Sequence, residues 1–441
     1  MPAKSSTDPN LVTAADFAEI RWFGHWIWCD PPPPPRFGPG MESPGSQRPE
    51  VHALFRKTFT LAQAPARAPA RITADSRYLL YANGREVFRG PIRSQPRRTF
   101  YDLFDLAPYL KTGENLLAVY VKYYGSPKSF WMPAPLTMAL GRSGVMVFEA
   151  QIEGGGSGNS WLVSDANWKT HKSSAWAEDW RAGTRVGWME EGIPVEIFDA
   201  RQFPYGWEQP GFDDSGWENA SLIASRSMTS GIRSHPPADP YGPLYPRPIG
   251  KLGGDLRQPV SASLQMLDGR VDMKVGDPVR RLEATLNMAA AGDPRPAKLP
   301  IPVEVPADGC VRLTLDMGGI VMGQVHFELE APAGTVLDLS YTEDPLAPPK
   351  RGYGGMHSGT RYTARGQDDR FSVFDALGFR YANLLFHDTA GKVTLRSFAV
   401  QEDVYPWQPG AEFRCSDEEL NKIFQAGIRT VQLNSRDSFR V

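Results

Sequence analysis

Apolar positions in this chain recur mostly at the two-residue spacing of strands, in short runs broken by Gly, Pro and Asn. Residues 54–61 alternate in this way and predict a strand with one buried face. Residues 71–81 read as the next strand, and Asn83-Gly84 separates them from Glu86-Val87-Phe88. An Asn-Gly pair between two such runs signals a hairpin, because the tight turn needs positive φ at both positions. Residues 100–106 follow, then a turn at 111–115. Residues 116–124 are apolar on both faces, which predicts a strand buried within a sandwich. Residues 145–152 and 161–164 flank a glycine-rich loop at 154–159. A phosphate cradle would lead into a helix N-terminus. This loop leads into another strand, so it predicts a hairpin.

Residues 166–245 contain few regular runs but much tryptophan: Trp168, Trp176, Trp180, Trp188, Trp207 and Trp217. Within them, Asp213-Asp214-Ser215-Gly216-Trp217 reads as a turn pinned by an aromatic ring. A proline-rich stretch at 235–248 marks a boundary. Strand patterns then resume at 311–315, 323–329, 336–341, 361–364, 371–374, 379–386 and 393–402, with a flexible loop expected at 352–359. The period changes only near the end, where Leu420, Ile423, Phe424 and Ile428 recur at helical spacing. Ser416 and Glu419 read as a capping box, and Asp417 and Glu418 favour a helix start.

The predicted fold class is therefore all-β: tandem β-sandwich (jelly-roll) domains with a short C-terminal α-helix. The expected domains are an N-terminal segment with a proline-rich loop (1–50), a first β-sandwich (51–240), a second β-sandwich (241–405) and a linker with the terminal helix (406–441). The 42 Gly and 40 Pro among 441 residues fit many turns rather than long helices. A net charge of −2 gives no basic face for nucleic acid or for an anionic membrane surface. No run of about 18 apolar residues is present, so no membrane span is expected. The first residues carry no signal-peptide core, which makes a cytoplasmic location the expectation. Cys29, Cys310 and Cys415 lack ligand spacing and read as isolated thiols. No metal and no cofactor are predicted.

Hydrolytic chemistry would need a facing carboxyl pair. Glu190-Glu191, Asp213-Asp214 and Glu343-Asp344 are adjacent in sequence, and neighbours on a strand point to opposite faces. His25, His52, His171, His235, His326, His357 and His387 sit in no nucleophile or metal motif. Sugar binding remains. Trp176, Trp180 and Trp188, with Asp179 and Arg181 beside them, could stack on a pyranose and bind its hydroxyls. The competing reading has these rings plugging the sandwich.

Fragments spread over nearly the whole chain resemble the bacterial α-L-rhamnosidase family. Trp26-Ile27-Trp28 with Phe55-Arg56-Lys57-Thr58-Phe59 is similar to its opening strands. Ala74-Asp75-Ser76-Arg77-Tyr78, Tyr81-Ala82-Asn83-Gly84 and Tyr101-Asp102-Leu103-Phe104-Asp105-Leu106 resemble its N-terminal jelly roll. Glu196-Ile197-Phe198-Asp199-Ala200-Arg201 and Pro210-Gly211-Phe212-Asp213-Asp214-Ser215-Gly216-Trp217 resemble a distinctive family stretch. Asp316-Met317-Gly318-Gly319 and Gly378-Phe379-Arg380-Tyr381 resemble its concanavalin-like sandwich. Phe413-Arg414-Cys415-Ser416-Asp417 and Leu420-Asn421-Lys422-Ile423 resemble the helix entering its (α/α)6 barrel.

The resemblance implies inverting hydrolysis of terminal α-L-rhamnose, a rhamnose-containing carbohydrate as partner, and catalytic carboxylates on the barrel. No barrel precedes Val441, so the catalytic residues are expected beyond it and the chain alone is expected to be inactive. Some family members bind calcium and rhamnose in a jelly roll, but no dense Asp cluster of that kind stands out here. The alternative is a stand-alone carbohydrate-binding or scaffold protein without hydrolase activity.

Overall fold

The computed structural model describes residues 12–17, 21–31, 50–94, 98–125, 144–154, 160–177, 195–227, 231–237, 241–269, 278–285, 288, 295–307, 309–344, 358–387, 389, 391–408, 410 and 412–437. Its contacts divide the chain into two compact units. The first comprises residues 1–174 and 204–248, the second residues 175–203 and 249–441. Strands dominate both, as the periodicity implies, and the fold is an all-β sandwich type. No helix among the described residues is long and apolar enough to cross a membrane.

The first unit pairs two sheets. One contains Ile27–Trp28, Val145–Ile152, Pro69–Asp75, Thr99–Asp105 and Leu244–Pro246, with Ser160–Val163 on the edge of Val145–Ile152. The other is ordered Glu218–Asn219, Lys169–Lys172, Val51–Leu61, Gly113–Tyr123, Arg77–Ala82, Arg85–Gly90. Alternate residues point inward from each, so Phe55, Ile72, Tyr78, Leu80, Val119, Val121, Phe148 and Trp168 share one core. The 71–81 run, expected as one strand, is two. The chain turns at Ser76, whose hydroxyl accepts from the Tyr124 amide at 3.0 Å, and its halves enter different sheets. The Asn83-Gly84 hairpin forms as expected, with φ of 51° and 79°. The glycine-rich loop likewise joins antiparallel strands, Ile152 facing Ser160.

The second unit is organised around one strand of 22 residues, Gly309–Glu330. The sequence breaks it at Gly318-Gly319, and the structure places a register shift there, between Asp316 and Val321. Before the shift the strand pairs with Ser261–Asp268, and Leu377–His387 pairs with it across the shift, residues 381–386 before and 377–379 after. Beyond it the strand pairs with Gly391–Glu402 and Asp369–Ser372. Val336–Thr342 and Ser358–Thr363 extend the sheet, and Val195–Asp199 completes its edge in parallel with Ser358–Thr363. That edge strand comes from within the sequence of the first unit, in the stretch read above as a single 51–240 domain.

Two α-helices occur among the described residues. Pro278–Thr285, absent from the sequence reading, buries Val279 and Leu282, the latter against Leu267, Cys310 and Leu385. Its approach is close: a Cβ at Gly359 would meet Val279 at 2.7 Å. The terminal helix is Glu418–Asn434. Its cap is Asp417, whose carboxylate accepts from the Glu419 and Leu420 amides, rather than the Ser416–Glu419 box. Its N-terminal half contacts the preceding segment, Phe424 against Phe413 and Asn421 bonded to Cys415, and its C-terminal end meets the sheet. Leu433 is buried, Arg429 pairs with Glu402, and Arg436 just beyond pairs with Asp403. Leu420, Ile423 and Val431 stay exposed.

Candidate functional site

Of the four proposed sugar-binding residues, the structure describes Trp176; Asp179, Trp180 and Trp188 lie outside the described residues, as do Glu190, Glu191 and His357. Trp176 forms an isolated antiparallel bridge with Phe198 on the edge strand Val195–Asp199. Two flanking bonds hold the segment, Ala177 N to Ile197 O at 2.9 Å and Asp199 N to Ala175 O at 2.7 Å. The half-buried indole lies 4.7 Å from the Phe198 ring and edge-on to Phe203 at 5.4 Å. Phe198 in turn contacts Tyr362 and Phe371, which pack on Phe327. Trp176 is thus the outer ring of an aromatic column that continues into the second core. The residue as a whole is half-buried.

The adjacent carboxylates resolve into turns and edges. Asp213 accepts from the Ser215 amide at 3.0 Å and sits below the ordinary carboxylate range because of the Ser215 bonds. Asp214 accepts from Arg56 Nε at 2.8 Å. Arg56 is buried and also donates to the carbonyls of Trp207, Gln209 and Phe212, so one guanidinium organises the whole 207–214 loop. Glu343 and Asp344 are exposed at the end of Val336–Thr342. His326 lies on the central strand opposite Ser372 and Ala399, as a sheet-face residue.

The sequence reading missed the buried ionic groups. On the outer face of the first unit, Arg71 Nε donates to Glu149 at 2.6 Å. The guanidinium is stacked by Trp22 at 4.1 Å and Phe17 at 4.4 Å. The other Glu149 oxygen accepts the amides of Phe23, at 2.6 Å, and Gly24, at 3.0 Å. The pair therefore pins the N-terminal segment to the sheet. Asp102 accepts from Tyr78 Oη at 2.5 Å and Arg247 at 3.0 Å; burial pushes its carboxyl up to about 6, with Arg247 and Tyr78 opposing. In the second unit, Asp338 receives Arg361 at 2.6 and 2.9 Å and His387 Nε2 at 2.9 Å. Burial raises this carboxyl, but the bonds from His387 and Arg361 prevail and it lies below its usual range. Arg281, from the short helix, stands 3.6 Å from the same carboxylate.

Each of these carboxylates is saturated by internal donors, an arrangement suited to holding strands in register. Glu196 is likewise internal, accepting from the Phe374 amide at 2.8 Å. The three cysteines are free thiols; burial pushes Cys29 up to about 12 and Cys310 up to about 11. Among the described residues no group of three or more His, Cys, Asp or Glu gathers as a metal site would require.

Two cores, both built from strands and both carrying internally satisfied polar networks, define an all-β protein of the β-sandwich class. Comparison places it further. Residues 63–239 match the model of the alpha-L-rhamnosidase N-terminal domain. An alpha-L-rhamnosidase of Streptomyces avermitilis is 25% identical over 158 residues, covering 34% of this chain and 14% of that protein. The fold is similar to the GH78 family rhamnosidase of Bacillus sp. GL1, with TM-score 0.69 and 20% identity over 95% of this chain and 59% of that one. It is also similar to the alpha-L-rhamnosidase of Dictyoglumus thermophilum, with TM-score 0.61 and 19% identity over 94% of this chain and 39% of the other. Residues 63–239 thus resemble the N-terminal domain of alpha-L-rhamnosidases, the whole chain shares its fold with rhamnosidases of known structure, and it spans 59% or less of the length of these relatives.

Proposed function

We propose that these 441 residues are the non-catalytic β-sandwich region of an α-L-rhamnosidase, one that removes terminal α-L-rhamnose from glycosides or polysaccharides. The match of residues 63–239 to the N-terminal domain carries this reading. The internal geometry supports it. Inverting hydrolysis needs an acid and a base about 6.5–9.5 Å apart across the bond, both open to substrate. The buried carboxylates of the networks described above are instead committed to arginines, tyrosines and amides. The terminal helix fits the same role: exposed Leu420, Ile423 and Val431 form an apolar stripe suited to a helical catalytic domain.

The test compares residues 1–441 with the gene's complete reading frame, each assayed on p-nitrophenyl α-L-rhamnopyranoside. Turnover is expected from the complete frame and not from residues 1–441. Hydrolysis by the 441 residues alone, or none by the complete frame, would overturn the proposal. A carbohydrate-binding role without hydrolysis is the second reading, favoured by the half-buried aromatic ring of Trp176; the fold is also similar to a Streptomyces avermitilis rhamnosidase solved with L-rhamnose (TM-score 0.54). It requires that L-rhamnose binding, measured calorimetrically, weaken in Trp176→Ala.

A further inference from the structure

The N-terminal segment is laced into the first unit at a second place besides Glu149. His25 N donates to Ser164 O at 2.8 Å, and Trp26 N donates to Ser234 O at 2.6 Å. The imidazoles of His25 and His235 lie face to face there, ring centroids 3.8 Å apart and planes 36° from parallel. His235 Nδ1 is 3.1 Å from Gly24 O. A carbonyl only accepts, so Nδ1 carries the proton and the neutral ring keeps its lone pair on Nε2. His25 Nδ1 shares a 2.6 Å bond with the Ser234 hydroxyl. Both rings are therefore fixed by partners on the opposite segment, and neither can rotate away without breaking a bond between 24–26 and 234–235.

We propose that this stacked pair is a proton-operated clasp, closed while at most one ring is charged and opened when acid charges both. Two imidazolium rings at this spacing repel directly. The compensating groups nearby are already engaged. Asp165 favours the charged form of His25, but its carboxylate is held by Lys57 at 3.3 Å and the Asn167 amide at 2.8 Å. Glu149 is taken by Arg71 and by the Phe23 and Gly24 amides. Burial, then the charge of His235, hold His25 below its ordinary range despite Asp165. A histidine with a depressed folded value contributes stability at neutral pH and loses it as pH falls below the unfolded value. Asp102 has the opposite sign, so it cannot imitate this loss. His171, also lowered by burial, can.

Hydrogen exchange of the full chain at pH 7.5 and 5.0, corrected for the intrinsic rate, separates these groups. In the wild type, peptides covering 22–28 and 231–237 should lose protection severalfold at pH 5.0. His235→Asn keeps a donor for Gly24 O but removes the second charge, and should hold its protection at both pH values. His171→Asn, whose ring stacks on Trp217 instead, should behave as the wild type. Protection independent of pH in the wild type, or pH sensitivity surviving in His235→Asn, overturns the clasp. Should a variant not fold, NMR titration of the labelled histidines in the wild type decides: two coupled steps are expected, and independent ordinary titrations overturn it.

Discussion

At the scale of single residues, the strongest commitments are buried charges. Arg71 and Glu149 are both removed from water, and Glu149 is also the acceptor that holds two amides of the N-terminal segment. Breaking a buried pair leaves an uncompensated charge, which costs about 3–5 kcal/mol. Arg71→Ala should lower the urea-unfolding free energy of the first unit by about that amount and should free residues 12–24 for proteolysis. Asp102 supplies a pH test. Its folded value of about 6 lies above the ordinary carboxylate range, so the folded state binds its proton more readily than the unfolded chain. Stability from this group is complete at low pH and falls as pH rises from about 4 to 6. Relative to Asp102→Asn, the wild type should therefore be more favoured at pH 4 than at pH 7, as denaturant titrations would show. None of these groups was legible in the sequence. Arg71 and Glu149 are 78 positions apart and meet only because the strands Pro69–Asp75 and Val145–Ile152 align in that register.

At the scale of elements, the legible features were those whose chemistry is local. Asn83-Gly84 names its own turn, and the structure puts both residues at positive φ. Gly84→Ala would strain the backbone by about 1–2 kcal/mol and drive a methyl into the Gln209 side chain, so a drop in melting temperature is expected. The run at 116–124, apolar on both faces apart from Lys122, forecast a strand buried on both faces, and residues 115–123 of Gly113–Tyr123 are all buried. The terminal helix was legible from period, but its cap was misassigned by one residue because Ser416, Asp417 and Glu418 all suit a helix start. Asp417→Ala should remove about 1 kcal/mol and fray residues 418–421, measured as faster amide exchange. The Pro278–Thr285 helix escaped because eight residues are too few for a convincing period. Pro278, with Val279 and Leu282 three apart, was the available signal. The strand break at Ser76 escaped because an apolar alternation does not reveal which sheet each half joins. For the candidate site, Trp176 was legible as an aromatic anchor, whereas its partners Phe198, Tyr362 and Phe371 are brought together only by tertiary pairing.

At the scale of the whole molecule, the chain order and the unit order differ. The segment 175–203 lies between two stretches of the first unit yet belongs to the second, where Val195–Asp199 forms the edge of the sheet. Local patterning cannot show this, since a five-residue strand reads the same whichever sheet receives it. The energetics show why the segment matters. Phe198 is almost wholly buried between Trp176, Tyr362 and Phe371, and Glu196 satisfies the Phe374 amide. Removing a buried Phe side chain alone costs about 3–5 kcal/mol. A protein cut to residues 249–441 would lose that ring, the parallel pairing and the acceptor together. It should unfold at a distinctly lower urea concentration than the second unit does in the intact chain, with Phe327 and Phe371 exposed to a hydrophobic dye. Supplying a peptide of residues 175–203 in trans should recover part of the loss, and the Phe198→Ala peptide should recover less. Equal stability of the cut and intact forms would mean that the edge strand is dispensable, and that the second core closes on residues 249–441 by themselves.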